Sequence, residues 1–193
     1  MRKPVIIGCA ALGAVALIGL VILSVLVGKY NGMVRLGESV DNGWAQVENV
    51  LQRRSDLIPN LVATVKGIAA QEKEIFENVA AARSRLAGAA SPGEAAAANA
   101  GLTGALGRLL AIVENYPQLR SSENFLRLQD ELAGTENRIA VERRGYNDLV
   151  RQYNTYIKQF PNRMLAGWFQ FQPREFFQAE EGAREVPKVD FTG

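Results

Sequence analysis

Apolar residues fill the start of the chain without interruption and then recur at helical spacing. Residues 5–27 carry no charged side chain over 23 positions. A helix rises about 1.5 Å per residue, so a helix of this length crosses the roughly 30 Å hydrocarbon core of a bilayer. The pattern predicts a transmembrane helix over residues 5–27, preceded by a short N-terminal flank, residues 1–4.

A cleaved signal peptide and a lipidation site both fit the apolar stretch less well than a transmembrane helix does. The apolar core of a cleaved signal peptide is about 7–15 residues long, and this stretch exceeds it. Lipidation at Cys9 would require a signal core before that residue, but only three apolar residues precede Gly8. We therefore expect Cys9 to lie in the membrane as a small apolar residue. It is the only cysteine, so no disulfide can form within one chain.

Basic residues flank both ends of the predicted span in equal number. Arg2 and Lys3 precede it, and Lys29 and Arg35 follow it. Because positive side chains favour the cytoplasmic side, this equal count leaves the orientation of the span open.

Three stripes of apolar residues follow the span, largely at steps of three and four, the spacing of one helix face. A further helix is expected between the second and third stripes, beginning near Ser91 or Gly93 after a Gly- and Pro-containing loop and ending near Asn115. These patterns predict an all-α fold, with the transmembrane helix followed by an antiparallel bundle of three or four long helices over residues 28–160. The stripes are Val40, Trp44, Val47 and Leu51; then Ile58, Leu61, Val65, Ile68, Ile75, Phe76 and Val79; then Phe125, Leu128, Leu132, Thr135, Ile139, Glu142, Tyr146, Leu149, Tyr153, Tyr156 and Phe160.

Pro59 stands inside an otherwise helical pattern. Proline lacks the N–H that would bond to the carbonyl of Ser55 and clashes with that carbonyl in a continuous helix. The sequence therefore predicts a bend or a new helix near residues 55–58, with Ser55 or Asp56 as N-cap, and leaves open whether there is one kinked helix or two. Asp56 is placed to pair with Arg53, and Asn60 to bond backbone groups freed by the proline.

Polar residues near Pro59 have possible partners in the long third stripe, within the segment ENRIAVERR, residues 136–144. A polar network between the two segments would fix the alignment of the helices, and the same residues are candidates for a partner-binding surface. The candidate residues of this joint are Arg53, Arg54, Asp56, Pro59, Asn60, Glu136, Asn137, Arg138 and Arg144.

The C-terminal tail, residues 161–193, differs from the rest because five aromatic residues fall within ten positions. They are Trp168, Phe169, Phe171, Phe176 and Phe177. Aromatic rings in this setting either cap the core of the bundle or sit at a membrane interface or partner surface. Both possibilities remain open at the level of sequence.

Composition excludes most catalytic chemistry for this chain. With no histidine, Ser-His-Asp and Cys-His nucleophiles and zinc sites built from His and Cys are absent. We therefore expect no enzyme activity, metal or cofactor. The 22 basic and 20 acidic residues nearly balance, which argues against a nucleic-acid-binding surface.

Three segments resemble the LemA family of bacterial membrane proteins. They read RRSDLIPNLVATVKG, ENFLRLQDELAGTENRIAVERRGYNDLVRQYN and FQPREFFQAEEGAREVPKVDF, and the resemblance extends over residues 30–191 in the expected order. It implies an N-terminal anchor followed by a helical bundle, with the short N-terminus outside and the bundle in the cytoplasm. It also implies no established catalytic activity. Gly43, where the family tends to carry alanine, is a departure expected to weaken the helix.

The expected function is that of a membrane-anchored, non-enzymatic interaction or scaffold protein, single-pass in the bacterial cytoplasmic membrane. Its expected partners are the membrane, unidentified membrane or envelope proteins and a possible second copy of the chain, without nucleic acid. The alternative is a membrane-organising or lipid-contacting protein that acts through its aromatic tail.

Overall fold

The computed structural model describes the backbone of residues 3–178 and the side chains of residues 12–178. Over these residues it contains six helices and no strand, which confirms the all-α prediction. The predictions for residues 1–2, for the side chain of Cys9 and for the tail beyond Gln178 lie outside the described residues. The helices are α1 (Lys3–Lys66), α2 (Lys73–Ala87), α3 (Pro92–Val113), α4 (Pro117–Arg120), α5 (Glu123–Lys158) and α6 (Asn162–Trp168).

The chain divides into two compact units, and α1 and α5 contribute to both. Among the described residues, the first unit comprises residues 3–41 and 151–174, and the second comprises residues 42–150 and 175–178. The first unit holds the apolar start of α1, the end of α5 and the short helix α6. The second holds the end of α1, helices α2 to α4 and most of α5.

Helix α1 is a single element of 64 residues and passes through Pro59 without a break. Of the two alternatives that the sequence leaves open, the structure therefore has one helix rather than two, and neither Ser55 nor Asp56 caps a new helix. The backbone carbonyl of Ser55, which has no amide partner at Pro59, instead accepts a hydrogen bond from Nε of Arg83 in α2 at 3.0 Å. A donor from a neighbouring helix thus compensates for the missing N–H, and sequence spacing alone does not reveal it.

The second apolar stripe lies on two helices rather than one. Helix α1 ends at Lys66, where Gly67 follows, and α2 begins at Lys73. The amide of Ile68 bonds the carbonyl of Val65 at 3.1 Å, a tightening typical of a helix end. The stripe residues Ile58, Leu61, Val65, Phe76 and Val79 are buried, whereas Ile68 in the connection is exposed.

Helix α3 begins where the sequence predicts. Ser91 is its N-cap and accepts a hydrogen bond from the amide of Glu94 at 3.2 Å, while Pro92 occupies the first turn. Both features suit a helix start, since the first amides lack partners within the helix. The buried residues Leu102, Leu106, Leu109 and Val113 form the inner face of α3 in the second unit.

The long stripe of α5 follows the prediction at first and departs from it near its end. Tyr146 and Tyr153 are buried as predicted, but Val150 and Ile157 are buried in place of Leu149 and Tyr156, which are half-buried. A strict alternation of three and four has a period of 3.5, and a straight helix of 3.6 residues per turn drifts about 20° from it in each heptad. Two of the buried positions therefore lie one residue later than predicted, and Phe160, beyond α5, is 84% exposed.

Gly43 does not interrupt α1. A Cβ atom at this position would lie 2.7 Å from Cδ1 of Leu149 and 3.7 Å from Cα of Tyr146. The glycine therefore permits a close approach between α1 and α5 within the second unit.

Two of the described helices are long and apolar enough to cross a membrane. They are the described part of α1, with a mean hydropathy of 2.4 in its most apolar window, and α3, with 1.4. A third of the α3 window is buried in the protein and none of the α1 window is. The apolar face of α3 is used in the core, which is typical of a bundle helix.

Candidate functional site

A buried arginine joins three helices of the second unit. Arg54 of α1 is 4% exposed, and it donates to Oδ1 of Asn99 at 2.8 Å and to Oγ1 of Thr103 at 3.0 Å, both in α3. Its guanidinium also pairs with the carboxylate of Glu136 in α5 at 2.5 Å. We call these four residues the Arg54 cluster. The predicted contact between the Pro59 region and residues 136–144 is present at this one point.

The sequence places Arg54 on an inward position of α1. Val47, Leu51, Ile58 and Leu61 are buried on the same helix. Arg54 follows Leu51 by three residues and precedes Ile58 by four, so it lies on the same face. A charge at a core position is costly unless it is paired and hydrogen-bonded. Asn99, Thr103 and Glu136 supply those partners. Their contacts offset the cost of placing a charged side chain at this buried position.

In the ion pair between Arg54 and Glu136, the arginine is buried and the glutamate is partly exposed to water. Burial lowers the pKa of Arg54, and the neighbouring carboxylate of Glu136 opposes that shift. The Glu136 side chain is 48% exposed, so water shares its charge. Nε of Arg54 is buried without a partner among the described residues. The arrangement can hold α1, α3 and α5 together.

Pro59 itself is exposed, and its effect appears at Ser55, which is buried. The hydrogen bond from Arg83 to the Ser55 carbonyl links α2 to α1 at the residue that follows Arg54. Two neighbouring residues of α1 are therefore tied to other helices, Arg54 by its side chain and Ser55 by its backbone.

The other predicted joint residues take no part in the cluster. Arg53 is exposed, and Asp56 accepts a hydrogen bond from Nε2 of Gln52 at 2.8 Å, so the predicted Arg53–Asp56 ion pair is not formed. Gln52 stands four residues before Asp56 and shares its helix face. The side chain of Asn60 is exposed, and Arg83 rather than Asn60 bonds the freed carbonyl. Three further predicted residues are exposed on α5: Asn137, Arg138 and Arg144.

Asparagine side chains of α5 hold the backbone of the tail. In the second unit, Asn147 accepts from the amide of Phe177 at 2.9 Å and donates to its carbonyl at 3.2 Å. The hydroxyl of Tyr146 donates to the carbonyl of Glu175 at 2.8 Å. The Phe177 ring is buried, with its centroid 6.0 Å from that of Trp44. The carboxamide thus satisfies both polar groups of one residue, as a neighbouring β-strand would.

The first unit repeats this device at a second asparagine. Asn154 accepts from the amide of Arg174 and donates to its carbonyl, both at 2.8 Å. The guanidinium of Arg174 pairs with Asp41 of α1 at 3.0 Å. Asn147 and Asn154 stand seven residues apart on α5, next to Tyr146 and Tyr153 of the third stripe. This repeat is visible in the sequence, but the predicted site did not include the two asparagines.

The five tail aromatics therefore have different environments. Phe177 caps the second unit, and Phe171 and Phe176 are half-buried. Trp168 is 73% exposed and Phe169 is 54% exposed. In the first unit the centroid of the Tyr30 ring lies 4.9 Å from that of Phe169 and 5.6 Å from that of Phe171. Residues that the predicted site omitted are Arg83, Asn99, Thr103, Asn147 and Asn154.

Among residues 12–178, no three His, Cys, Asp or Glu side chains come together as a metal-binding group.

Comparison with known proteins places the chain among bacterial relatives. Residues 43–191 match the LemA family. Two magnetosome proteins of Paramagnetospirillum magneticum, MamQ 1 and MamQ 2, are each 30% identical to the chain, and each match covers 86% of this chain and 71% of the relative.

Two further relatives extend the comparison. The magnetosome protein MamQ of Magnetospirillum gryphiswaldense is 30% identical, with 91% of this chain and 74% of the relative covered. Protein LemA of Metamycoplasma hominis is 25% identical, with 86% of this chain and 74% of the relative covered. Because the family match extends over residues 43–191, well over half of the chain, the chain belongs to the LemA family.

Proposed function

We propose that this chain is a membrane-anchored, non-enzymatic interaction protein of the bacterial cell envelope, with a single span in the cytoplasmic membrane. One observation carries the proposal. From Leu12 to Val27, every large apolar side chain of α1 outside Leu26 is at least half exposed. An uninterrupted apolar surface of this length is stable in lipid and unstable in water.

The use of the polar residues supports a non-enzymatic role. The four residues of the Arg54 cluster bond one another, and Asn147 and Asn154 bond the tail. In each case the polar atoms satisfy groups of the chain itself and fix its helices. The names of the relatives, LemA and magnetosome protein, are not enzyme names.

The exposed joint residues offer a surface for partner proteins. Arg53, Asp56 and Asn60 lie at steps of three and four on α1 and therefore share one exposed face. Asn137, Arg138 and Arg144 are exposed on α5. We propose that these polar faces contact other envelope proteins or a second copy of the chain.

Site-specific photo-crosslinking in cells tests this function. A photo-reactive amino acid at Asn60 or Arg138 of the full chain is expected to capture the same envelope protein in repeated experiments. Placed at Gly104, exposed on α3, the same probe is the matched control and is expected to capture less of it. Equal yields at all three positions would contradict a partner surface at the joint, and a crosslink to the chain itself would identify the partner as a second copy.

A second candidate function is a direct contact with lipid through the aromatic tail. The observation that favours it is the exposure of Trp168 and Phe169 in the unit that contains the apolar part of α1. Three of the relatives are named magnetosome proteins, and a role of this chain in membrane organisation is consistent with such a contact.

A further inference from the structure

Large apolar side chains remain exposed at the end of α5 and along α6 in the first unit. They are Phe160, Met164, Trp168 and Phe169, which we call the membrane-proximal patch, and each is more than half exposed. Met164 and Trp168 stand four residues apart on α6 and therefore share a face. Surface patches of this kind mark a contact with lipid or protein.

The opposite face of α6 is fixed to its own unit. Asn162, Leu165 and Ala166 are buried, and Nδ2 of Asn162 donates to the carbonyl of Tyr156 at 2.9 Å. After α6 the chain reverses at Gln170, whose φ of 59° is left-handed, and the amide of Phe171 bonds the carbonyl of Ala166 at 2.9 Å. The exposure of the patch is therefore directional, because the buried face leaves the other one outward.

The patch adjoins the end of the proposed span. Tyr30 follows Val27 by three residues, about 4.5 Å along the helix axis. Its ring contacts Phe169 with a centroid separation of 4.9 Å. Tyrosine and tryptophan favour the headgroup level of a bilayer, where an aromatic ring and a polar atom are both satisfied. The contact with Tyr30 brings the patch to that level.

The charge of this region suits an anionic surface. Residues 28–41 and 151–174 contain six basic and two acidic side chains. One of the acids, Asp41, pairs with Arg174, and Nζ of Lys29 lies 5.8 Å from the centroid of the Tyr156 ring. Lys158 and Arg163, on either side of Phe160, are exposed. Clustered basic groups beside inserted apolar residues bind anionic lipid more strongly than either feature alone.

We propose that the membrane-proximal patch inserts into the headgroup region of the bilayer that α1 spans, with Lys158 and Arg163 on anionic lipid headgroups. This inference rests on the proposed anchor and narrows the lipid-contacting role to α6 and its flanks. Phe177 has no part in it, because its ring is buried against Trp44. Phe160 and Met164 are included although they are not among the membrane contacts predicted from the sequence.

Tryptophan fluorescence of the full chain in proteoliposomes tests the insertion, since the chain has two tryptophans. A Trp44→Phe variant reports Trp168 alone, and a Trp168→Phe variant reports Trp44 alone as the matched control. With phosphatidylglycerol vesicles whose lipids carry bromine near the headgroup end of the acyl chains, we expect quenching of Trp168 at least about twice that of Trp44. Replacing phosphatidylglycerol by phosphatidylcholine is expected to reduce the quenching of Trp168, and Lys158→Gln with Arg163→Gln to remove that lipid dependence.

Resistance of the protein to carbonate extraction separates the two proposals. A chain that resists extraction while Trp168 is quenched no more than Trp44 would overturn the inference and leave the anchor intact. Quenching that is equal in both lipids would overturn the assignment of anionic headgroups. A chain that is extracted would overturn the anchor itself. If Trp44→Phe does not fold, a fluorophore on Met164→Cys in a Cys9→Ala background gives the same measurement with both tryptophans present.

Discussion

At the scale of single residues, Arg83 supplies the hydrogen-bond donor that Pro59 lacks. Its Nε lies 3.0 Å from the carbonyl oxygen of Ser55, a residue that is itself buried. An unpaired buried carbonyl costs about 1–3 kcal/mol, so the contact has a measurable value. Because the donor comes from α2 and the acceptor from α1, the hydrogen bond stabilises the packing of these two helices against each other.

We predict that Arg83→Met lowers the free energy of unfolding by about 1–3 kcal/mol in the parent chain. In a Pro59→Ala background the same change is expected to cost less, because Ala at position 59 can donate its own amide to Ser55. Chemical unfolding of the four variants, followed by circular dichroism, gives the coupling energy.

Arg85→Met is the matched control for that cycle, since Arg85 is an exposed arginine of the same helix. It is expected to show no coupling to Pro59. A cost for Arg83→Met that is the same with and without the proline would refute the compensating role of the Arg83 hydrogen bond.

Glu136 carries the negative charge that pairs with the buried guanidinium of Arg54. Loss of one partner of a fully buried pair costs about 3–5 kcal/mol, but Glu136 is half exposed, so we predict about 1–2 kcal/mol for Glu136→Gln. The exposed Glu131→Gln on α5 is the control and is expected to be nearly neutral. Equal unfolding midpoints for the two variants would show that the pair contributes nothing measurable.

Tyr153 makes the stability of the first unit sensitive to alkaline pH. Burial raises the pKa of its phenol above the ordinary value of 10.0; Arg174 lowers it and Asp41 raises it. The folded state therefore favours the neutral phenol. The stabilisation of the folded state by the neutral Tyr153 side chain is complete below about pH 10 and is lost as the pH rises through the pKa of the folded state. We predict that Tyr153→Phe loses less thermal stability than the parent between about pH 9 and about pH 11. Parallel curves for the two proteins would contradict this.

At the scale of elements, the tail depends on two carboxamides of α5. We predict that Asn147→Ala increases hydrogen exchange at the Phe177 amide by on the order of tenfold, because one residue loses both backbone partners. Asn154→Ala is expected to do the same at Arg174. Mass spectrometry of the exchanged peptides measures both effects.

Asn124→Ala, at an exposed asparagine of α5, is the control and is expected to leave both tail amides protected. If Asn147→Ala changed exchange only within α5, the tail would be held by its buried Phe177 ring rather than by the carboxamide.

Local signals predicted some elements closely, whereas contacts between helices remained hidden. The start of α3 followed from Ser91 and Pro92, since a cap and a first-turn proline act within one turn of chain. The Ser55 carbonyl left open by Pro59 is bonded by Arg83, 28 residues away, and no local rule connects the two. The exposure of Phe160 was missed because α5 ends at Lys158, so Phe160 no longer continues the stripe of that helix.

The Arg54 cluster was predicted only in part, for a similar reason. Arg54 lies among the polar residues near Pro59 and Glu136 lies in the polar segment 136–144, so a contact between the two segments was expected. Asn99 and Thr103 lie in a run of small residues in α3, where neither looks different from a solvent-facing position. Only the packing of α3 against α1 gives them a role.

At the scale of the whole molecule, the orientation of the anchor is the property to determine. The basic residues beside the span are equal in number on its two sides, but the first unit adds Lys158 and Arg163 to the side of Lys29 and Arg35. Basic groups near the bilayer favour the cytoplasmic side, so we predict that the bundle faces the cytoplasm.

A single cysteine measures this orientation. In a Cys9→Ala background, Asn115→Cys in the connection after α3 is expected to resist a membrane-impermeant maleimide in intact cells and to react after permeabilisation. Asn115 is exposed, so reactivity in permeabilised cells is the internal control. Labelling in intact cells would place the bundle outside.

The bond between Arg83 and Ser55 also limits how the molecule can misfold. If α2 slid by one turn along α1, Val79 or Ala87 would stand in the place of Arg83, and neither side chain carries a donor. The carbonyl that Pro59 leaves open would then be buried with no partner. A proline that weakens an isolated helix therefore disfavours incorrectly assembled forms of the bundle, and a chain with Pro59→Ala is expected to lose this discrimination even where its native state is no less stable.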